Sequence, residues 1–319
     1  MGEKKVLITD KVHAVLIDGL KALGFTVDYD TTVDNAKLET IIESYEGLVI
    51  NSKIIMNRSR IDLGKKLKFI GRLGSGLEII DVNYAASCGI AVCNSPEGNR
   101  NAVAEHEIGM LLALFNNLIQ ADNEVRLFSW NREKNRGREL MGQTIGVIGL
   151  GHTGSAFAEK LFSWNVKVLG YDKYRKDYPE NLGFVEKTDL DTLLHNADII
   201  SLHLPLTDET KYFVNQACIN KCKDGVIISN TSRGQIVQTD VLIQGLKSGK
   251  IGGACIDVFE NEKPETYNDD EKEMYTTLYN MENVILTPHI AGWTKESLER
   301  IATVLLNKIK ERISGKNVF

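Results

Sequence analysis

The spacing Gly149-Leu150-Gly151-His152-Thr153-Gly154 constrains this chain more than any other feature. It is entered from the apolar run Thr144-Ile145-Gly146-Val147-Ile148 and left through an alanine-rich helical stretch at 156–161. Strand, Gly-x-Gly-x-x-Gly turn and helix together open a βαβ unit that cradles a pyrophosphate, because glycines permit the turn and let N–H groups approach the anion. The run 166–171 reads as the second strand and ends on Asp172, eighteen residues past Gly154, where a ribose-binding acid belongs. A carboxylate there can take both ribose hydroxyls and repels a 2′-phosphate, which favours NAD over NADP. Lys173, Arg175 and Lys176 lie close enough to soften that exclusion, and a helix-capping or solvated aspartate is the alternative.

The turn opens near the middle of a 319-residue chain, so something else occupies the first hundred residues. There, short apolar runs alternate with amphipathic stretches at 5–8, 12–23, 26–29, 38–44, 47–50, 69–73 and 90–93. That rhythm predicts strands crossed by helices, hence a parallel sheet covered on both faces. Gly24 fits a helix C-cap before the second strand. The polar cluster Asn94-Ser95-Pro96-Glu97-Gly98-Asn99 reads as a turn and a domain boundary. A long helix follows at 101–120, apolar on nearly every side over 108–115. Burial inside its own domain or against a second subunit would both cover it.

Beyond the glycine turn, strands are expected at 166–171, 199–203, 225–229, 252–257 and 284–287, and the one before Gly149 brings the sheet to six. A closing amphipathic helix, 295–313, has no strand left to serve there and is expected to return to the first domain. The net charge of −5, with signs mixed along the chain, makes no case for nucleic acid. No apolar stretch approaches the length that spans a bilayer, and the opening residues read as a strand, so a cytoplasmic location is expected. Cys88, Cys93, Cys218, Cys222 and Cys255 show neither a Cys-x-x-Cys pair nor a zinc spacing, so reduced thiols and no metal are expected.

In an open α/β sheet, ligands sit beyond the carboxyl ends of the strands. Five polar residues fall there: His203, Arg233, Asp257, Glu262 and His289. His203 reads equally as a cofactor contact and as a satisfied interior histidine. Arg233, in a Gly-flanked turn, can hold a carboxylate bidentately. Hydride transfer to a 2-keto acid requires a cation for the carboxylate, a proton donor near the carbonyl, and a partner that favours the donor's protonated form. Arg233, His289 and Glu262 supply these, since a neighbouring carboxylate favours imidazolium.

Several stretches, in this order, resemble the D-isomer-specific 2-hydroxyacid dehydrogenases: Gly71-Arg72-Leu73-Gly74-Ser75-Gly76, Asn94-Ser95-Pro96-Glu97-Gly98-Asn99, Ala102-Val103-Ala104-Glu105-His106, the glycine turn with Asp172, Asn230-Thr231-Ser232-Arg233-Gly234, Asp257-Val258-Phe259-Glu260-Asn261-Glu262, and Pro288-His289-Ile290-Ala291-Gly292. The resemblance implies two doubly wound α/β domains: a flavodoxin-like substrate domain, 1–98 with 294–319, and an inserted Rossmann NAD-binding domain, 99–293. It implies a homodimer built on the long helix. By position, Arg233 holds the substrate carboxylate, His289 is the acid/base and Glu262 its partner. Gly74, Ser75 and Gly76 bind substrate through backbone amides. Ser75, Gly149, Gly151, His152, Thr153, Gly154, Asp172, His203, Leu204, Thr231, Ser232, Arg233, Asp257, His289 and Gly292 line the NAD site.

Within the family, Trp130-Asn131-Arg132 is similar to the phosphate-contacting stretch of D-3-phosphoglycerate dehydrogenases of serine biosynthesis. There Arg132, Ser52 and Lys53 are the expected phosphate contacts, although Asn51-Ser52-Lys53 departs from the usual Arg-Ser pair, as Glu78 departs from the usual Asp of Gly-Val-Asp. Nothing follows the last helix, so a regulatory domain is not expected. The rival substrates are glyoxylate, hydroxypyruvate or lactate-type acids. An NADH-responsive corepressor-like binding protein is the rival of another class.

Overall fold

The computed structural model describes residues 3–175 and 177–314, which leaves Lys176 outside the described residues. The chain divides into two compact units, residues 1–100 with 293–319 and residues 101–292. In the first, β1 (Lys5–Ile8), α1 (Ala14–Ala22), β2 (Thr26–Tyr29), α2 (Asn35–Ile41), β3 (Gly47–Ile50), α3 (Arg58–Leu63), β4 (Phe69–Arg72), α4 (Val82–Ser87) and β5 (Ala91–Asn94) alternate before α5 (Pro96–Phe115) begins. The strands form a five-stranded parallel sheet in the order β2-β1-β3-β4-β5, which is flavodoxin-like. Successive residues of β1 serve opposite faces: Leu7 packs with Leu38 and Ile42, while Val6 and Ile8 pack with Leu16 and Leu20.

Two helices here escaped the periodicity. α3 and α4 are six residues each, too short to show a 3.6-residue repeat, and they are started by side-chain caps from Asn57 and Asp81. The cluster at 94–99 is not a loop. Pro96 is the first residue of α5, where its missing N–H costs nothing, and Glu97 accepts both bonds of Lys308 Nζ at 2.9 Å.

The second unit holds the rest of α5, then α6 (Leu118–Arg126), β6 (Thr144–Ile148), α7 (His152–Lys160), β7 (Lys167–Tyr171), β8 (Glu186–Lys187), α8 (Leu190–Asn196), β9 (Ile199–Leu202), α9 (Gln216–Lys221), β10 (Val226–Asn230), α10 (Thr239–Ser248), β11 (Ile251–Ile256), α11 (Asp269–Tyr279) and β12 (Val284–Leu286). Its sheet has seven strands among the described residues, not six, in the order β12-β11-β10-β9-β6-β7-β8, because the two-residue β8 adds to the edge beyond β7. The long helix ends at Phe115 rather than running to 120; Asn117 adopts a left-handed φ of 50° and restarts the chain as α6. Met110, Leu111 and Phe115 are buried against Ile145, Val147 and Ile227 of the sheet, so α5 is covered within its own unit.

The closing helix α12 (Lys295–Ile313) starts on a capping box between Thr294 and Ser297 and packs on α1, β4 and β5 of the first unit. Ala302, Leu305 and Ile309 are fully buried there. Each of the two larger side chains stabilises the unit by about 1.5–3 kcal/mol through removal from water. Among the described residues no helix is long and apolar enough to cross a membrane, and all five cysteines are free thiols.

Candidate active site

The glycine turn is shaped by close approach. Gly149 sits at φ 89°, a region that side chains disfavour, and donates its amide to Tyr171 O at 2.8 Å. A Cβ on Gly154 would collide with the carbonyl of Gly149, so helix and turn can meet only through glycine. Gly151 differs: a Cβ there would meet nothing within 4 Å. It is the N-cap of the nine-residue α7 and makes no side-chain cap bond there, and a helix N-terminus is the kind of place that suits a pyrophosphate. The residues present therefore fit a dinucleotide.

Asp172 is taken up by the backbone around it. Its Oδ2 accepts from Leu150 N at 2.8 Å, and its Oδ1 accepts from Tyr174 N at 3.0 Å and Arg175 N at 2.8 Å. Burial alone would raise its carboxyl, but the three amides and the Arg175 charge outweigh that and hold it below the ordinary carboxylate range. Arg175 Nη1 in turn donates to Leu150 O at 2.8 Å. The acid thus ties the end of β7 to the glycine turn.

His203 is an interior residue. Its side chain is 1% exposed, and burial holds the ring below its ordinary pKa despite the nearby Glu107. This is the satisfied-histidine alternative, and direct contact by the ring with a ligand does not follow from it.

Arg233, Glu262 and His289, the three residues expected to be catalytic, follow three successive strands, β10, β11 and β12. Buried Asn230 closes the first turn, accepting from Ser232 N and Oγ and donating Nδ2 to Arg233 O at 2.9 Å. Arg233 Nη1 donates to Ser232 O at 2.7 Å. In the second turn, Tyr275 Oη accepts from Asn261 N at 3.0 Å and Tyr267 Oη donates to Asn261 O at 3.1 Å. This aromatic pair, stacked at 4.7 Å between ring centroids, fixes the residue before Glu262.

Glu262 Oε2 lies 2.8 Å from His289 Nδ1. Burial would lift the Glu262 carboxyl, but the His289 hydrogen bond and charge, the Phe259 amide and the Arg233 charge prevail and hold it below the ordinary range. With Nδ1–H donated to Glu262, Nε2 of His289 is left to exchange a proton with a ligand.

His289 itself has φ 57°, unusual for a residue with a side chain. Asp257 holds it there. His289 N donates to Asp257 O at 2.7 Å, while the Asp257 carboxylate accepts from Thr287 Oγ1 (2.5 Å), Ile290 N (2.9 Å) and Ala291 N (2.8 Å). Asp257 is fully buried, so its side chain organises the His289 turn rather than presenting itself at the surface. His106 Nε2 stands 3.0 Å from Thr287 Oγ1 and completes the clamp. Sequence reasoning missed Thr287, His106 and Tyr275. The available signal was the Thr-Pro-His order, in which a hydroxyl precedes the turn.

The first unit holds the other expected residues. Gly74, at φ 133°, turns its amide inward to Ser95 Oγ at 3.1 Å. Ser75 is anchored by Asn94 Nδ2 on its carbonyl and by its own hydroxyl donating to Asn99 Oδ1. Lys53 Nζ donates to Thr31 O at 2.7 Å and lies 4.0 Å from Asp10 Oδ1. In the second unit, Arg132 lies on an exposed turn between α6 and β6, beside Trp130, which is 76% exposed.

With this geometry in view, residues 108–291 match the model for the NAD-binding domain of D-isomer-specific 2-hydroxyacid dehydrogenases. The chain belongs to that family. It is 36% identical over 312 residues to the D-3-phosphoglycerate dehydrogenase of Archaeoglobus fulgidus, covering 98% of this chain but only 58% of that relative's length. It is 37% identical to the hydroxypyruvate reductase of Thermotoga maritima, with 94% of each chain covered. Among solved structures it resembles a D-lactate dehydrogenase from Aquifex aeolicus complexed with NAD and lactic acid, with a TM-score of 0.84, 31% identity and 98% and 96% of the two chains covered. Two parallel-sheet α/β units are the architecture it shares with such structures.

Proposed function

We propose that this protein interconverts a D-2-hydroxy acid and its 2-keto acid, with NAD as the hydride carrier. The observation that carries the reading is the 2.8 Å pair between His289 and Glu262, within the field of Arg233. Arg233 would take the substrate carboxylate, and Ser75 and Gly76 are proposed as further substrate-binding residues through their backbone amides. His289 Nε2 gives its proton to the carbonyl oxygen during reduction and recovers it during oxidation, while Glu262 holds the ring's tautomer and orientation. NAD, when bound, supplies or accepts the hydride. Gly149, Gly151, Gly154 and the start of α7, with His152 and Thr153, would hold its pyrophosphate. Asp172 would face its adenosine ribose, favouring NAD over NADP, and Leu204, Thr231, Ser232 and Gly292 would line the remainder.

The substrate we favour is 3-phosphoglycerate with 3-phosphohydroxypyruvate, which would place the protein in serine biosynthesis in the cytoplasm. The match of 98% of this chain to several D-3-phosphoglycerate dehydrogenases, over 54–58% of their own length, supports this. Hydroxypyruvate is the second reading, favoured by the equal-length match to a hydroxypyruvate reductase and by Lys53, which is already engaged with Thr31 and Asp10. A homodimer is also proposed. Its support is the apolar strip of Leu118, Ile119, Leu127, Phe128 and Trp130, each at least half exposed on and after α6.

The deciding assay is NADH oxidation with 3-phosphohydroxypyruvate, hydroxypyruvate, glyoxylate and pyruvate, using wild type and His289→Ala. Turnover should fall by about 10²–10⁴-fold in the variant while NADH still binds. Near-wild-type turnover sinks the assignment.

A further inference from the structure

Glu107 has no part in the chemistry above, yet it is a fully buried carboxylic side chain in the second unit. α5 carries it beneath two neighbouring strands. Its Oε1 accepts from Ser201 Oγ of β9 at 2.6 Å and from Ser229 Oγ of β10 at 2.5 Å, and its Oε2 accepts from Thr231 Oγ1, just past β10, at 3.4 Å. His203 Nε2 stands 3.5 Å from the same Oε2 and 2.7 Å from Ser201 Oγ. Since Ser201 gives its only proton to Glu107, its oxygen accepts from His203 Nε2–H. Burial keeps the His203 ring neutral.

Two hydroxyls converging on one oxygen at 2.5–2.6 Å have the spacing of O–H bonds to an ionised carboxylate. Burying a charge costs several kcal/mol unless donors replace its water, and here three hydroxyls do so. A serine in each of two otherwise apolar strands, Ile199–Leu202 and Val226–Asn230, is explained by this acceptor.

The order of the sheet says what such a charge faces. The glycine turn follows β6 and Asp172 follows β7, so the adenosine half of a bound dinucleotide would lie over β6 and β7. The nicotinamide half would then extend over the strands on the other side of β6, which are β9 and β10. Thr231 and His203, which touch Glu107, terminate those two strands.

We propose that Glu107 is a buried negative charge that tunes the dinucleotide site, favouring the positively charged oxidised nicotinamide over the neutral reduced one. It acts through the strand ends without touching substrate. The proposal rests on the NAD site described under Proposed function.

The test is to measure dissociation constants for NAD+ and NADH with the full-length wild type, Glu107→Gln and Ser229→Ala, alongside thermal melting. Glu107→Gln should weaken NAD+ by about fivefold to tenfold, the order expected for one charge acting across the protein interior, and change NADH less than twofold. Ser229→Ala keeps the carboxylate but removes one donor, so its NAD+/NADH ratio should shift the same way by a smaller factor. Equal weakening of both dinucleotides is what a merely structural role produces, and it overturns the proposal, as does an unchanged ratio. If Glu107→Gln does not fold, the ratio in Ser229→Ala decides. Failure of wild type to bind either dinucleotide would refute the NAD site itself, a result distinct from binding with an unchanged ratio.

Discussion

Replacing Asp257 by asparagine tests whether the His289 turn is held by charge-assisted bonds. The aspartate spends one oxygen on Thr287 Oγ1 and Ile290 N and the other on Ala291 N. Asparagine has the same shape, but one of its two positions becomes an NH2 group, so either Ile290 N or Ala291 N then faces a donor. The loss is one bond to a charged acceptor, about 1.5–3 kcal/mol, plus an amide left without a partner at about 1–3 kcal/mol. These overlap, so the turn loses about 2–4 kcal/mol. The φ of 57° at His289 costs about 1–3 kcal/mol to maintain, and a turn weakened by a comparable amount no longer holds it.

At about 1.4 kcal/mol per decade, kcat for NADH-dependent reduction, measured at saturating NADH and 2-keto acid, should fall about 30-fold or more. Thermal melting should drop by about 5–10 °C. If melting falls but kcat stays within threefold of wild type, the turn does not depend on Asp257 to present His289, and the argument is refuted.

Three further outcomes follow from the geometry. Gly151→Leu should leave thermal melting unchanged, because its side chain enters open space, yet weaken NADH by about tenfold or more; Gly154→Ala should lower the melting temperature, because its Cβ meets the Gly149 carbonyl. Equal behaviour of the two variants in both measurements would contradict the division of roles. The folded value of Glu262 is depressed, so its pairing with His289 stabilises the fold above the ordinary carboxylate value of about 4.3 and is lost as pH falls through the lower folded value. With the Glu262 side chain 40% exposed, the contribution is under about 1 kcal/mol; the melting gap between wild type and Glu262→Gln should close as pH falls below the ordinary carboxylate value, and a gap that widens in acid would refute the sign. Finally, Leu305→Ala, at a fully buried position of α12, should cost about 2–5 kcal/mol in chemical denaturation of the first unit.

What was legible in the sequence was what depends on near neighbours. The glycine turn, most strands and the closing helix all rest on patterns of fewer than twenty residues, and Arg233, Glu262 and His289 were found because each lies within six residues of the end of a readable strand. α3, α4 and β8 were invisible because six or two residues carry no period. The long helix was overextended because nothing local marks Asn117 as left-handed. What the sequence does not show for Asp172 and Asp257 is that their oxygens also accept from amides brought in by folding. Glu107 was overlooked because its donors are 94 to 124 residues away, and no window along the chain holds both ends of that network.

The interrupted first unit also bears on how the molecule assembles. Its sheet and helices α1 to α4 come from the opening hundred residues, but α12, which packs on β4 and β5 of that sheet, arrives from residue 295 onward. During synthesis, at about 5–20 residues per second, the second unit has all its chain once Gly292 has emerged. The first must wait with Phe69 of β4 and Cys93 of β5 lacking their cover from Ala302, Leu305 and Ile309. For roughly ten seconds or more the early half of the polypeptide therefore carries a sticky sheet face, which makes it the stage at which a chaperone is most needed and at which aggregation begins.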